Sequence, residues 1–236
     1  YYEPETEGSL QRSEDFSVPI YARPPDLVAF NRLQEAKTGL KYGRIVKDAA
    51  QPYFTRREIE EGALAGRGLE IVWLKNWADA FFIHIQGSGR VRLADGSLMR
   101  LAFAAKSGHP YTGVGSLLVE RGVFPREAMS MQAIRFWMAN EPEAARQLMW
   151  ENRSFIFFQV EAVDDPAMGP RGAQKVRLTP GRSMAVDRHH WMFGTPVWLD
   201  TSIPLPGAAT VRPFRQLMIA QDTGTAIRGP ARGDVF

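Results

Sequence analysis

The chain has 236 residues, room for one large domain or two modest ones, and its 44% hydrophobic and 11% aromatic content excludes a disordered protein. It has no cysteine, which excludes a disulfide framework, a thiolate nucleophile and thiolate metal ligands while leaving the compartment open. The net charge of +3 comes without a Lys/Arg run long enough for a nucleic-acid arm, so no nucleic-acid partner is expected, and no stretch of about eighteen apolar residues is present to cross a membrane.

The opening Tyr1-Tyr2-Glu3-Pro4 has neither an initiator Met nor signal-peptide character, and the strongest motif runs up to Phe236 with nothing after it. Both ends therefore read as cut, and a fragment of a longer protein is expected. The first fifty residues are rich in Pro, Tyr and charge, as at Pro19-Ile20-Tyr21 and Pro24-Pro25, and read as extended linker or loop. Thr55-Arg56-Arg57-Glu58 has the form of a capping box and opens a short helix ending near Gly66. Glu70-Ile71-Val72-Trp73-Leu74 and Ala80-Phe81-Phe82-Ile83-His84-Ile85 are β-branched and aromatic and predict strands. Gln86-Gly87-Ser88-Gly89 reads as a tight turn after the second of them. An Asp95-Gly96-Ser97 hairpin turn joins strands at 91–93 and 99–104. Helices are predicted over 114–121 (closed by Gly122), 125–139 and 143–151. Phe155-Ile156-Phe157-Phe158-Gln159-Val160 reads as a buried strand, and short strands follow at 183–186, 196–199 and 215–221. The pattern is that of an α+β segment leading into part of a β-barrel.

The histidines are His84, His109, His189 and His190. The last two are adjacent, so in a strand they would face opposite ways, and no His-Glu-x-x-His spacing exists; no metal site is expected. Neither Gln86-Gly87-Ser88-Gly89 nor Gly113-Val114-Gly115-Ser116 matches the Gly-x-Ser-x-Gly nucleophile elbow, and Gly87-Ser88-Gly89 is too short for a phosphate loop. Aromatic residues such as Trp73, Trp137, Trp191 and Trp198 suit stacking on sugar rings and suit a core equally. The tail is more informative. An apolar run at 214–221 leads into Asp222, and Asp234 follows twelve positions later in a stretch thick with glycine. A carboxylate at the end of a strand, with glycines that let backbone approach a ligand, is how a catalytic acid facing a groove is built. Asp-x-Gly is also an ordinary turn signal.

Taken in order, Tyr1-Tyr2-Glu3-Pro4-Glu5, Pro19-Ile20-Tyr21, Ile85-Gln86-Gly87-Ser88-Gly89 and Lys106-Ser107-Gly108-His109-Pro110-Tyr111 resemble the membrane-bound lytic murein transglycosylase A family. So do Met129-Ser130-Met131-Gln132-Ala133-Ile134, Ser154-Phe155-Ile156-Phe157-Phe158 and the tail from Asp222, which is also similar to the Asp-x-Gly-x-Ala-Ile-x-Gly signature of double-psi β-barrels. The resemblance implies a mainly β fold with some α: a double-psi β-barrel domain, a second β-rich inserted domain, and a groove between them. The insert, with its helices, would be residues 6–160. The C-terminal part of the barrel would be 161–236, with 1–5 as the end of its N-terminal part and the remainder outside this chain. The implied reaction is cleavage of the β-1,4 bond between N-acetylmuramic acid and N-acetylglucosamine in peptidoglycan, leaving a 1,6-anhydromuramoyl end. No cofactor is implied. Glycan strands of peptidoglycan are the implied substrate, and cell-wall synthesis or division proteins are candidate partners. The implied location is the periplasm, attached to the outer membrane through an N-terminal segment beyond these residues.

By the family's motif, Asp234 matches the catalytic acid. It would protonate the leaving oxygen, and its carboxylate would then take the proton from the muramoyl C6 hydroxyl as that oxygen attacks C1 of the same sugar. An attacker within the same sugar has a large effective concentration, so no positioned water is required. Asp222 either assists as a like charge or hydrogen-bonding partner, or is a barrel-turn residue bonded to backbone; both readings stay open. Gly224 and Gly229 would let backbone approach the sugar, and Tyr2, Gln86, Ser88 and Gly89 are groove candidates. Two rivals stand beside this reading. One is a glycan-binding module without catalysis. The other is a hydrolytic muramidase, which would want a second carboxylate such as Asp95, Asp187 or Asp200.

Overall fold

Residues 2–204 and 211–236 are described in a computed structural model. Contacts divide the chain into a larger unit, Pro4–Ala162, and a smaller one in which the chain's first residues join Val163–Phe236. In chain order the larger unit comprises β1 (Glu5–Ser9), β2 (Val18–Tyr21), β3 (Val28–Ala29), α1 (Arg32–Thr38), β4 (Tyr42–Val46), β5 (Ala49–Gln51), α2 (Arg56–Glu58), β6 (Glu70–Leu74) and α3 (Trp77–Gln86). It continues with β7 (Ser88–Arg92), β8 (Leu98–Lys106), α4 (Val114–Glu120), α5 (Met131–Asn140), α6 (Pro142–Glu151) and β9 (Ile156–Ala162). Six strands form a sheet in the order β2-β6-β1-β7-β8-β9, and a bridge between Ala22 and Phe158 links its two ends, so the sheet curls back on itself. A smaller sheet, β3-β4-β5, lies apart.

The first fifty residues are therefore not a linker; they supply five strands and a helix. The strands are two to five residues long, too short for a clear alternation, and their pairing partners lie elsewhere in the chain. Pro19 is tolerated because β2 is an outer strand of the ladder.

The segment expected as a strand at 80–85 is instead the centre of α3. Ala80 and Ile83 face the sheet core with Val18, Ile20, Leu74 and Leu101. Phe81 and Phe82 face a second core made by Val114 and Leu118 of α4, Met138 of α5 and Leu148 of α6. A helix buried on both sides has no polar face, so its period disappears from the sequence. The ends were visible: the Asn76 side chain accepts from the Asp79 amide at 2.8 Å, and Gly87 closes the helix at φ 76°. Gln86 is thus the last helical residue, while Ser88 and Gly89 open β7 rather than forming a turn.

The helix expected over 125–139 is two pieces, a single 3₁₀ turn at Arg126–Ala128 and then α5, which is capped by the Ser130 hydroxyl. The capping box at Thr55 is present, and its helix passes into a π-helical turn, Ile59–Ala63, kinked at Gly62. The 95–97 hairpin, α4, α6 and β9 lie where the sequence put them.

The smaller unit holds β10 (Ser183–Val186), β11 (Pro196–Pro204), β12 (Val211–Asp222) and β13 (Gly233–Val235) in the order β11-β12-β10-β13. Met184, Val186, Met218 and Ala220 form its core, flanked by Val197, Leu199, Phe214 and Val235. β11 and β12 run longer than expected, as an antiparallel ribbon in which Trp198 opposite Leu217 and Asp200 opposite Arg215 are exposed. The protein is mainly β with helices, the fold class that the sequence implied.

Candidate active site

The end of β10 organises the smaller unit. β10 runs parallel to β12, which places Ala185 opposite Asp222, and antiparallel to β13, which places Ala185 opposite Asp234. Two aspartates twelve positions apart thus flank one residue, their backbones two strand spacings, about 10 Å, from each other. Val235 packs on the core, so the pleat turns Asp234 to the opposite face, where it is half-buried.

The carboxylates are held differently. Asp222 Oδ1 accepts from the Ala173 amide at 2.8 Å. Asp234 is gripped by Arg232, with Nε donating to Oδ1 at 2.7 Å and Nη2 to Oδ2 at 3.2 Å. That fork holds the guanidinium of Arg232 above its ordinary pKa. Directly after β10 comes Asp187, only 3% exposed. Its Oδ1 accepts from the His189 amide at 3.0 Å and its Oδ2 from the Gly229 amide at 2.8 Å. These backbone donors, then the charges of His189 and Arg228, lower its carboxyl below the usual aspartate value.

The loop between the two aspartates, 223–232, is tied down at several points. Thr223 Oγ1 donates to the Val186 carbonyl at 2.8 Å, and the Trp191 indole donates to the Pro230 carbonyl at 2.9 Å. Gly229 lies at φ 96°, a conformation that favours glycine and aims its N–H at Asp187. A Cβ on Gly224 would meet Ile227 Cδ1 at 3.2 Å. Asp222, Asp234, Gly224 and Gly229 are therefore gathered at one end of one sheet.

Tyr2 is exposed and belongs to the smaller unit. Gln86, Ser88 and Gly89 belong to the larger one. Ser88 is buried there, and a Cβ on Gly89 would come within 2.8 Å of Ile83 Cγ1, so packing under α3 accounts for that glycine. Sequence reasoning did not single out Arg232, and it considered Asp187 only as a spare carboxylate. The Arg-x-Asp spacing at the start of the last strand was a signal for the first; one partner of Asp187 is the local His189 amide, and the other, Gly229, lies 42 positions away and left no local trace.

The larger unit buries titratable groups of its own. Arg56, 1% exposed, stacks over Phe81 and Phe155 and donates to the carbonyls of Asn152 and Ser154, to Glu60 Oε1 at 3.2 Å and to His84 Nδ1 at 3.1 Å. Arginine has only donors, so His84 carries its proton on Nε2. Burial, then the neighbouring guanidinium, pushes His84 well below its ordinary value of 6.5. Burial also raises the Glu60 carboxyl, against the pull of Arg56.

Residues 1–159 match the family model of the MltA specific insert domain, and residues 182–236 match that of the 3D domain. The chain belongs to the membrane-bound lytic murein transglycosylase A family. A family member from Vibrio cholerae, itself named membrane-bound lytic murein transglycosylase A, is 38% identical over 183 residues, covering 74% of this chain and 47% of that protein. The crystal structure of a membrane-bound lytic murein transglycosylase from Agrobacterium tumefaciens is similar at TM-score 0.91 and 40% identity, covering 100% of this chain and 65% of that one. The Escherichia coli MltA structure with bound chitohexaose is similar at TM-score 0.76 and 30% identity, covering 97% of this chain and 61% of that one. This chain spans about half the length of the curated relatives it matches.

Proposed function

We propose that the protein is a peptidoglycan lytic transglycosylase that cleaves the β-1,4 bond after N-acetylmuramic acid and closes a 1,6-anhydro ring, with Asp234 acting first as acid and then as base. One observation carries the single-acid reading. Of the three carboxylates around the end of β10, Asp187 has both oxygens on backbone amides and Asp222 has its Oδ1 on the Ala173 amide. Asp234 is held by a half-exposed side chain of its own loop. A guanidinium can swing aside to admit a sugar; a backbone amide within a folded loop cannot. Asp234 is thus the carboxylate able to exchange its partner for a leaving oxygen.

A hydrolase would need a second carboxylate to activate water. An attacking hydroxyl within the same sugar removes that need, because effective molarities for such steps reach about 10⁵ M or more. Family membership and the chitohexaose bound by the E. coli relative support a glycan substrate. Tyr2, Gly224 and Gly229 are proposed glycan contacts of the smaller unit. The relatives' names describe membrane-bound proteins, which supports membrane association, and the family resemblance extends this to a periplasmic place at the outer membrane. Among the described residues no helix is long and apolar enough to cross a membrane.

The test is mass spectrometry of purified peptidoglycan digested by the full-length protein. Products with 1,6-anhydromuramoyl ends are expected. Products one water heavier would mean a muramidase, and binding without cleavage would mean a glycan-binding module.

A further inference from the structure

We infer that Asp187 is a positioning residue: its carboxylate clamps the 223–232 loop to the end of β10 and so holds Asp234 in reactive geometry. The inference rests on the transglycosylase reading above.

Several contacts converge on this point. The Asp187 carboxylate ties its own turn, through the His189 amide, to the far loop, through the Gly229 amide. Its backbone carbonyl accepts from the amides of His190 and Trp191, and the Trp191 indole reaches over to the Pro230 carbonyl. Val186, the preceding residue, takes the Thr223 hydroxyl on its carbonyl and pairs with Gly233, the neighbour of Asp234. The loop is thus fastened at Thr223, Gly229, Pro230 and Gly233, and Asp187 supplies the charged fastening in the middle. The group is almost wholly buried, and its two charge-favouring hydrogen bonds are what make a buried carboxylate tolerable. With both oxygens engaged by backbone it cannot serve as a second acid or base without releasing the loop. Around it, the titratable groups are Arg228, whose Nη1 lies 3.8 Å from Oδ1, and the His189 imidazole.

Catalysis depends steeply on placement, and a misplacement of about 1 Å costs on the order of a hundredfold in rate. The experiment compares wild type, Asp187→Ala and Asp187→Asn in the full-length protein. It measures turnover of purified peptidoglycan, chitohexaose affinity, and amide hydrogen exchange across residues 183–234. In Asp187→Ala, kcat should fall by about a hundredfold with KM and chitohexaose affinity within about twofold. Exchange should quicken at Gly229 and along the loop while β10 and β12 keep their protection. Asp187→Asn, which retains one carbonyl acceptor, should recover part of the loss.

A kcat near the wild-type value in Asp187→Ala overturns the inference. So does exchange quickened equally through β10 and β12, which would make Asp187 a general structural residue. If the wild type itself makes no anhydromuramoyl ends, the transglycosylase reading falls separately. The exchange data then still decide the clamp: quickening confined to the loop supports it, and unchanged exchange sinks it.

Discussion

The two units handle charge in opposite ways. The larger unit takes it inward: Arg56 and Glu60 are buried as a pair among Phe81, Phe155 and Trp150, with neutral His84 alongside. The smaller unit has a core of only a few side chains, Met184, Val186, Met218 and Ala220, and keeps its carboxylates at the end of a sheet on backbone amides and a surface arginine. Burying an ion pair has a large desolvation cost, which Arg56 offsets by donating to Glu60, His84 and two backbone carbonyls, while the buried Nε2 of His84 has no hydrogen-bond partner among the described residues. Among the carboxylates of the smaller unit, half-buried Asp234 is held by a half-exposed arginine and can change partners. The difference separates charge fixed inside a core from charge held where one partner can be exchanged.

The sharpest way to break this contrast is at Asp234. Asp234→Asn should lower turnover of peptidoglycan by about a thousandfold or more, within the range for losing a general acid, while chitohexaose binding and unfolding midpoint hardly move. Appreciable turnover in that variant would remove Asp234 from the reaction. The matching change in the larger unit is Arg56→Ala. It leaves Glu60 buried without its cation and frees the carbonyls of Asn152 and Ser154, so urea unfolding should show a loss of about 3–5 kcal/mol. A loss below about 1 kcal/mol would mean that Glu60 takes up a proton at no cost and that the cluster contributes little.

The same contrast has a pH signature. The pKa of His84 is depressed in the folded state, so the unfolded chain binds its proton first as pH falls. The stability contribution is complete above 6.5 and is lost progressively below it. Asp187 is depressed too, but from 3.8, so its clamp persists at mildly acid pH and weakens only below that value. Unfolding free energy should therefore decline from pH 7 to pH 5, and His84→Gln should flatten that slope. A slope unchanged in the variant assigns it to another group.

Smaller effects complete the series. Asn76→Ala removes the cap of α3 and should cost about 1 kcal/mol in urea unfolding. Asp200→Ala breaks an exposed pair with Arg215 on the ribbon and should change stability by less than about 0.5 kcal/mol. Reversal of that order would mean that the ribbon contributes more than its exposure suggests.

How much of this was legible follows from how local each signal is. The 95–97 hairpin, α4 with its closing Gly122, α6 with Pro142 at its first position, and β9 through β12 rest on turn residues, caps and β-branched runs that act within a few positions. The family was legible because its motifs recur in order along nearly the whole chain, and Asp222 and Asp234 entered as proposed site residues on that resemblance. By contrast, α3 was misread because burial on both sides erased its period, and β1 to β5 because strands so short show themselves only in their pairings.

The sequence by itself determined the mainly β class and the family, since both are carried by residue identity and order. Only the tertiary structure decided which carboxylates are already engaged: Asp187 by the amides of His189 and of Gly229, 42 positions on, Asp222 by the amide of Ala173, and Asp234, on a three-residue strand, by Arg232 just before it. Hydrogen-bond partners are chosen by where the strands bring backbone together, and that register is a property of the folded sheet rather than of any segment within it.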